Sequence, residues 1–114
     1  MDAPVAVIET PEFLAATRKL MGEEERIELV DYLAINPTAG DLIPGTGGVR
    51  KLRWALEGRG KRGGARVIYY FHSLRLPLLL LDAYAKNEKS DLSSAEKNEL
   101  RQMAKLMAER YGKP

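Results

Sequence analysis

Leu78 to Leu81 is an uninterrupted apolar run that any fold of this chain must accommodate. It is far too short to span a membrane. Strand-like residues continue to Tyr84, so Pro77 to Tyr84 reads as a β-strand. A strand that does not alternate apolar with polar is covered on both faces, which predicts a central place in a sheet with structure packed on each side.

Two further strands are expected before it, Val49 to Leu56 and Arg66 to Ser73, joined by the glycine-rich basic loop EGRGKRGGA. Alternation sorts their side chains. Val49, Lys51, Arg53 and Ala55 share one face, and Arg50, Leu52, Trp54 and Leu56 the other. In the next strand Arg66, Ile68 and Tyr70 lie together, with Val67, Tyr69 and Phe71 opposite. Lys51 with Arg53, and Arg66 with Tyr70, can therefore line one surface of an antiparallel sheet. Val5 to Ile8, short and β-branched, is the remaining strand candidate.

The helices carry their own punctuation. Thr10-Pro11-Glu12 is a start signal, with a capping threonine, proline in the first turn and an acid at the positive end of the dipole. It opens a helix over Pro11 to Leu20 with Phe13, Leu14 and Leu20 available for burial, ended by Gly22. A second helix is expected over Glu23 to Ile35, with Ile27, Val30 and Leu33 as its apolar face, stopped at Asn36-Pro37. Thr38 to Gly48 reads as an irregular loop. Ser93-Ser94-Ala95-Glu96 is a capping box that starts a last helix reaching about Tyr111, with Leu100, Met103, Met107 and Tyr111 as its stripe. The order is β-α-α-β-β-β-α in one domain spanning 1–114.

Composition matters chiefly for what it excludes. The chain has no cysteine and a single histidine, so disulfides, thiolate catalysis and cysteine zinc sites are ruled out. The N-terminus lacks the pattern of a signal peptide, and a cytoplasmic location is expected. Net charge is only +2, but it is segregated. Acids from Glu9 to Asp31 come first. Arg50, Lys51, Arg53, Arg59, Lys61, Arg62 and Arg66 then follow, interleaved with Trp54, Tyr69, Tyr70 and later Tyr84. Cations mixed with flat rings suit an RNA strand, whose phosphates need charge and whose unstacked bases need stacking faces. The same run is also compatible with a solvated basic hairpin. The GTGG at Gly45 to Gly48 lacks the lysine and hydroxyl ending of a phosphate-binding loop. Asp82, Glu88 and Asp91 are expected to form ion pairs with the basic block rather than a metal site.

GTGGVRKLRWALEGRGKRGGARVIYYF and YAKNEKSDLS, in this order of elements, resemble the RelE/HigB family of bacterial toxins, and the likeness is greatest to the HigB branch. The resemblance implies a two-layer α/β (α+β) domain, with a mainly antiparallel sheet and a helical hairpin on one side. It implies the toxin half of a type II toxin–antitoxin pair, acting as a ribosome-dependent endoribonuclease on mRNA in the A site without metal or other cofactor. The partners implied are the ribosome, mRNA and a HigA-like helix-turn-helix antitoxin, with operator DNA reached only through the antitoxin complex and no membrane.

Carried over by position, the family's basic strand pair falls on Lys51 and Arg53. Its phosphate-clamping arginine falls on Arg66, and its C-terminal basic position near Lys86, with Asn87 in the slot that an arginine fills in RelE itself. Ser93 stands where RelE carries a catalytic tyrosine, which leaves Tyr84 and Tyr70 as candidates for that role. His72, at a strand end, is a further base candidate. Arg50, Lys61, Arg62, Tyr70 and Asn87 are expected to contact RNA, and Arg66, Lys51, Arg53, Tyr84 and Lys86 to carry the chemistry. Two alternatives stay open: a gyrase poison of the ParE type, since fold alone does not settle function, and an inactive RNA-binding module.

Overall fold

The structure is a computed structural model that describes residues 3–56, 64–89 and 91–111. Its elements are β1 (Val7–Glu9), α1 (Pro11–Leu20), α2 (Glu23–Ile35), β2 (Asp41–Leu42), β3 (Val49–Trp54), β4 (Ala65–Tyr70), β5 (Leu78–Ala85) and α3 (Ser94–Tyr111). The strands form one five-stranded sheet in the order β1-β5-β4-β3-β2. Only β1 and β5 run parallel; the other pairs are antiparallel. This is the α+β class and the mainly antiparallel sheet that the sequence implies.

The leucine run lies where expected. β5 sits between β1 and β4, and its leucines alternate between two cores. Leu78 and Leu80 join Phe13, Leu20, Leu29, Leu33, Val67 and Tyr69 beneath the α1/α2 hairpin. Leu79 and Leu81 join Val49, Ile68, Tyr70, Leu92, Leu100 and Ala104 beneath α3 on the opposite face. Each fully buried leucine contributes about 1.5–3 kcal/mol relative to an exposed one, so this strand anchors both layers.

Thr10 ties α1 to that strand. Its Oγ1 accepts the Phe13 N–H at 3.2 Å and donates to the Leu80 carbonyl at 2.7 Å, so the cap also fixes the helix on the sheet. The capping box of α3 forms as read: Ser93 N–H donates to Glu96 Oε1 at 2.8 Å, and Glu96 N–H to Ser93 Oγ at 3.1 Å.

Several local expectations change. β3 stops at Trp54, short of the expected Leu56, and β4 runs Ala65–Tyr70, short of the expected Ser73. The loop 38–48 contains β2, whose Asp41 and Leu42 pair with Lys51 and Arg50; two residues are too few for a periodic signal. Helix α2 buries Leu29 and Leu33 while Ile27 is 46% exposed, because the sheet meets the i, i+4 ridge through Leu29 rather than the one through Ile27. The first strand is offset to Val7–Glu9, with Val5 outside it and its N–H donating to the Ala34 carbonyl at 2.9 Å.

One irregularity positions the site. Tyr69 pairs with Leu80 but Ile68 pairs with Asp82, so Leu81 is an extra residue in β5. Strict alternation would put Tyr84 on the hairpin face with Leu78 and Leu80. The bulge reverses the phase, and Tyr84 joins the α3-side core instead. Asp82 stabilises the bend, its Oδ1 accepting the Ala83 N–H at 2.8 Å.

Candidate active site

The pairing register brings the cations together. Arg53 is opposite Arg66 across β3–β4, and Arg66 is opposite Tyr84 across β4–β5. Directly paired residues project to the same face, so Arg53, Arg66 and Tyr84 form one row across three strands. Lys51 lies two positions from Arg53 on that face. The Arg53–Arg66 pair concentrates positive charge on this face of the sheet.

A cleft of about 390 Å³ opens beside this row, lined by Lys51, Leu52, Arg53, Arg66, Lys86, Ala39 and Asp41. Lys86 comes from the turn after β5; its N–H donates to the Gly64 carbonyl at 3.1 Å, which holds the turn against the start of β4. Gly64 has φ +51°, and a Cβ there would lie 2.4 Å from the Trp54 carbonyl oxygen, so only glycine brings the chain into β4 this closely. Among the described residues that line it, the cleft gathers the cations Lys51, Arg53, Arg66 and Lys86 with the carboxylate of Asp41.

Arg66 is 6% exposed. A strand arginine of a basic hairpin would ordinarily lie in solvent, but this one sits in the floor of the cleft between two neighbours in the sheet. Arg53 is exposed and Lys51 half-buried. Lys51 Nζ is 3.2 Å from Asp91 Oδ1, the kind of ion pair expected for Asp91. The Leu92 N–H, donated at 2.8 Å, and the Lys51 ammonium hold the Asp91 carboxyl below the usual carboxylate range.

Tyr84 is buried, and its hydroxyl has no hydrogen-bond partner among the described residues. Burial, and secondarily the Asp91 carboxylate, raise its pKa above that of an ordinary tyrosine; Arg66 opposes the shift. The Lys89 ammonium lies 4.8 Å from the centre of its ring and is tied to Glu96 at 2.5 Å. Tyr84 is thus a neutral phenol beside a guanidinium.

Tyr84 lies outside the lining of the cleft, and the other candidates do not join it either. Arg50 points to the hairpin face, where its Nη1 donates to the Gly40 carbonyl at 2.7 Å and to the Thr38 carbonyl at 3.3 Å; it supports the loop 38–40 from beneath. Tyr70 shares the face of Arg66 but lies at the far end of β4, buried under α3, its ring parallel to that of His72 with centroids 6.3 Å apart. That separation also takes His72 away from the cleft. Asn87 is exposed in the turn beside Lys86. Lys61 and Arg62 lie outside the described residues. Asp41 was not among the candidates, since β2 is too short to be read from sequence. Among the described residues, no three His, Cys, Asp or Glu side chains cluster as metal ligands, and no helix is long and apolar enough to cross a membrane.

Residues 16–113 match the model of the RelE toxin of the RelE/RelB toxin–antitoxin system. The chain belongs to the RelE toxin family. The match runs from the middle of α1 through α3 and so includes every residue of the cationic cleft. A toxin of such a system has an antitoxin as its partner, and the family is one of endoribonucleases in general.

Proposed function

We propose that this RelE-family toxin is a ribosome-dependent mRNA endoribonuclease that cuts messages in the A site, and that the cleft beside Arg66 is where it does so. The observation that carries this reading is the convergence of Lys51, Arg53, Arg66 and Lys86 from two strands and a turn on one concavity beside a buried phenol. A phosphodiester is the substrate such a cleft suits: it is anionic, and its charge grows on the non-bridging oxygens as the phosphorus is attacked.

The reaction is a transesterification. The RNA 2′-oxygen attacks the adjacent phosphorus, the P–O5′ bond breaks, and a 2′,3′-cyclic phosphate and a 5′-hydroxyl remain. Arg66 is the phosphate clamp, since its planar fork can donate two parallel hydrogen bonds to phosphate oxygens. Lys51 and Arg53 add charge at the cleft wall. Tyr84, kept protonated by burial, is suited to give a proton to O5′, and the resulting phenolate would be stabilised by Arg66. Lys86, at the same cleft, is assigned as the base: its neutral amine takes the proton that the 2′-hydroxyl loses as its oxygen attacks. Lys61, Arg62 and Asn87 are assigned to RNA contacts outside the chemistry. The partners are the ribosome, mRNA and a HigA-like helix-turn-helix antitoxin through which operator DNA is reached, all in the cytoplasm.

The test is primer extension on translated messages, with and without induction of the toxin, alongside a supercoiling assay. Codon-phased cleavage within translated frames supports the reading. Intact messages with inhibited gyrase would replace it with a gyrase poison, and intact messages with active gyrase would leave an RNA-binding module without catalysis.

A further inference from the structure

Asp91 stands at the junction of β5 and α3, outside the lining of the cleft yet bonded to a residue within it. Its Oδ1 receives two donors: the Leu92 N–H at 2.8 Å and the Lys51 ammonium at 3.2 Å. The first bond fixes the carboxylate, because Leu92 is 6% exposed in the core beneath α3 and Ser93 then caps that helix. The second transmits that fixity to Lys51, a long side chain that would otherwise sample many rotamers. Ordinary surface ion pairs join two mobile side chains. Here one partner is anchored to backbone and the other ends at a cationic cleft.

We propose that Asp91 is a positioning residue for RNA cleavage, holding the Lys51 ammonium at the mouth of the Arg66 cleft. The proposal rests on the assignment of that cleft as the ribonuclease site. Asp91 touches no reacting atom; it acts through Lys51. A pair this exposed holds its partners weakly, so its loss reduces the chemical rate about threefold to tenfold and leaves the fold intact. RNA affinity moves the other way or not at all, because a negative charge beside a phosphate site has been removed. A merely structural role for Asp91 would not produce a slower chemical step together with undiminished binding.

The experiment uses the full chain and its variants Asp91→Asn and Asp91→Glu with ribosomes carrying an mRNA codon in the A site. Asp91→Asn keeps an acceptor for the Leu92 N–H and removes the charge. Single-turnover cleavage at saturating ribosomes and ribosome affinity are measured separately, and ¹⁵N relaxation of the Lys51 ammonium is recorded in the free protein. The expected result is a slower chemical step and a more mobile Lys51 in Asp91→Asn, unchanged or tighter binding, and a rate partly restored in Asp91→Glu. A parental rate in Asp91→Asn, or Lys51 mobility equal to the parent's, overturns the proposal while the ribonuclease reading stands. Absence of cleavage by the parent overturns the ribonuclease reading itself, and the role in catalysis falls with it.

Discussion

Arg66 and Tyr84 are register partners across β4 and β5 and project to the same side of the sheet, a buried guanidinium directly opposite a buried phenol. The Tyr84 hydroxyl has no partner among the described residues. An unsatisfied buried donor costs free energy, which a site can tolerate when a substrate oxygen supplies the missing bond. Tyr84→Phe is expected to leave stability unchanged or raise it by up to about 1 kcal/mol, while slowing single-turnover cleavage about a hundredfold or more. Thermal melts and quench-flow on programmed ribosomes measure the two effects. A parental rate would remove Tyr84 from the proton transfers.

Arg66 and Arg53 are paired residues with different burial, which separates their roles. Arg66→Lys retains charge and most of the stem but loses the planar fork, and is expected to slow cleavage about tenfold to a hundredfold. Arg53→Lys, on an exposed side chain, should cost less than about threefold. Equal losses at the two positions would contradict the assignment of Arg66 as the clamp.

Gly40 controls the loop that flanks the cleft. Its N–H donates to Tyr69 Oη at 2.8 Å, and Tyr69 donates in turn to the Pro37 carbonyl at 2.9 Å. A Cβ at Gly40 would lie 2.9 Å from Tyr69 Oη and 3.0 Å from the Lys51 carbonyl oxygen. Gly40→Ala should therefore destabilise the protein by about 1–3 kcal/mol, read from urea midpoints. An unchanged midpoint would mean that the loop moves aside without cost.

The acid titration of the fold has two opposing parts. Asp91 and Glu96 have pKa values lowered in the folded state, Asp91 first by the Leu92 N–H and Glu96 first by Lys89. Their stabilisation is present above the unfolded carboxylate range and is lost as pH falls through their folded values. Asp82 has its pKa raised, mainly by burial, so its ionisation disfavours folding above the unfolded value and its protonation relieves this as pH falls. Asp82→Asn, which preserves an acceptor for the Ala83 N–H, should raise stability at neutral pH. The gain should shrink once the pH is low enough for Asp82 to be protonated in the parent. A pH-independent difference between the two proteins would refute this account.

Much of the molecule could be read from local chemistry. Pro11–Leu20 and Glu23–Ile35 have the expected bounds because Thr10, Gly22 and Asn36-Pro37 act within a turn of their own position. The Ser93/Glu96 box acts the same way. Alternation grouped Lys51 with Arg53 in β3 and Arg66 with Tyr70 in β4, since that property belongs to each strand alone; the β3–β4 register then put the two groups on one face. The leucine run was enough to make β5 central. What the tertiary structure decided were relations between segments. The extra residue Leu81 in β5 is defined only against β4, yet it determines that Tyr84 faces Arg66 rather than the helical hairpin. The burial of Leu29 in place of Ile27 depends on which ridge of α2 meets the sheet. Arg50 is drawn under the loop 38–40 by carbonyls that only the pairing of β2 with β3 brings near. The anchoring of Lys51 by Asp91 joins residues 40 positions apart. Local propensity is set by neighbours within a few residues, whereas register, ridge choice and ion-pair partners depend on distances that exist only once the strands have paired and α3 has docked.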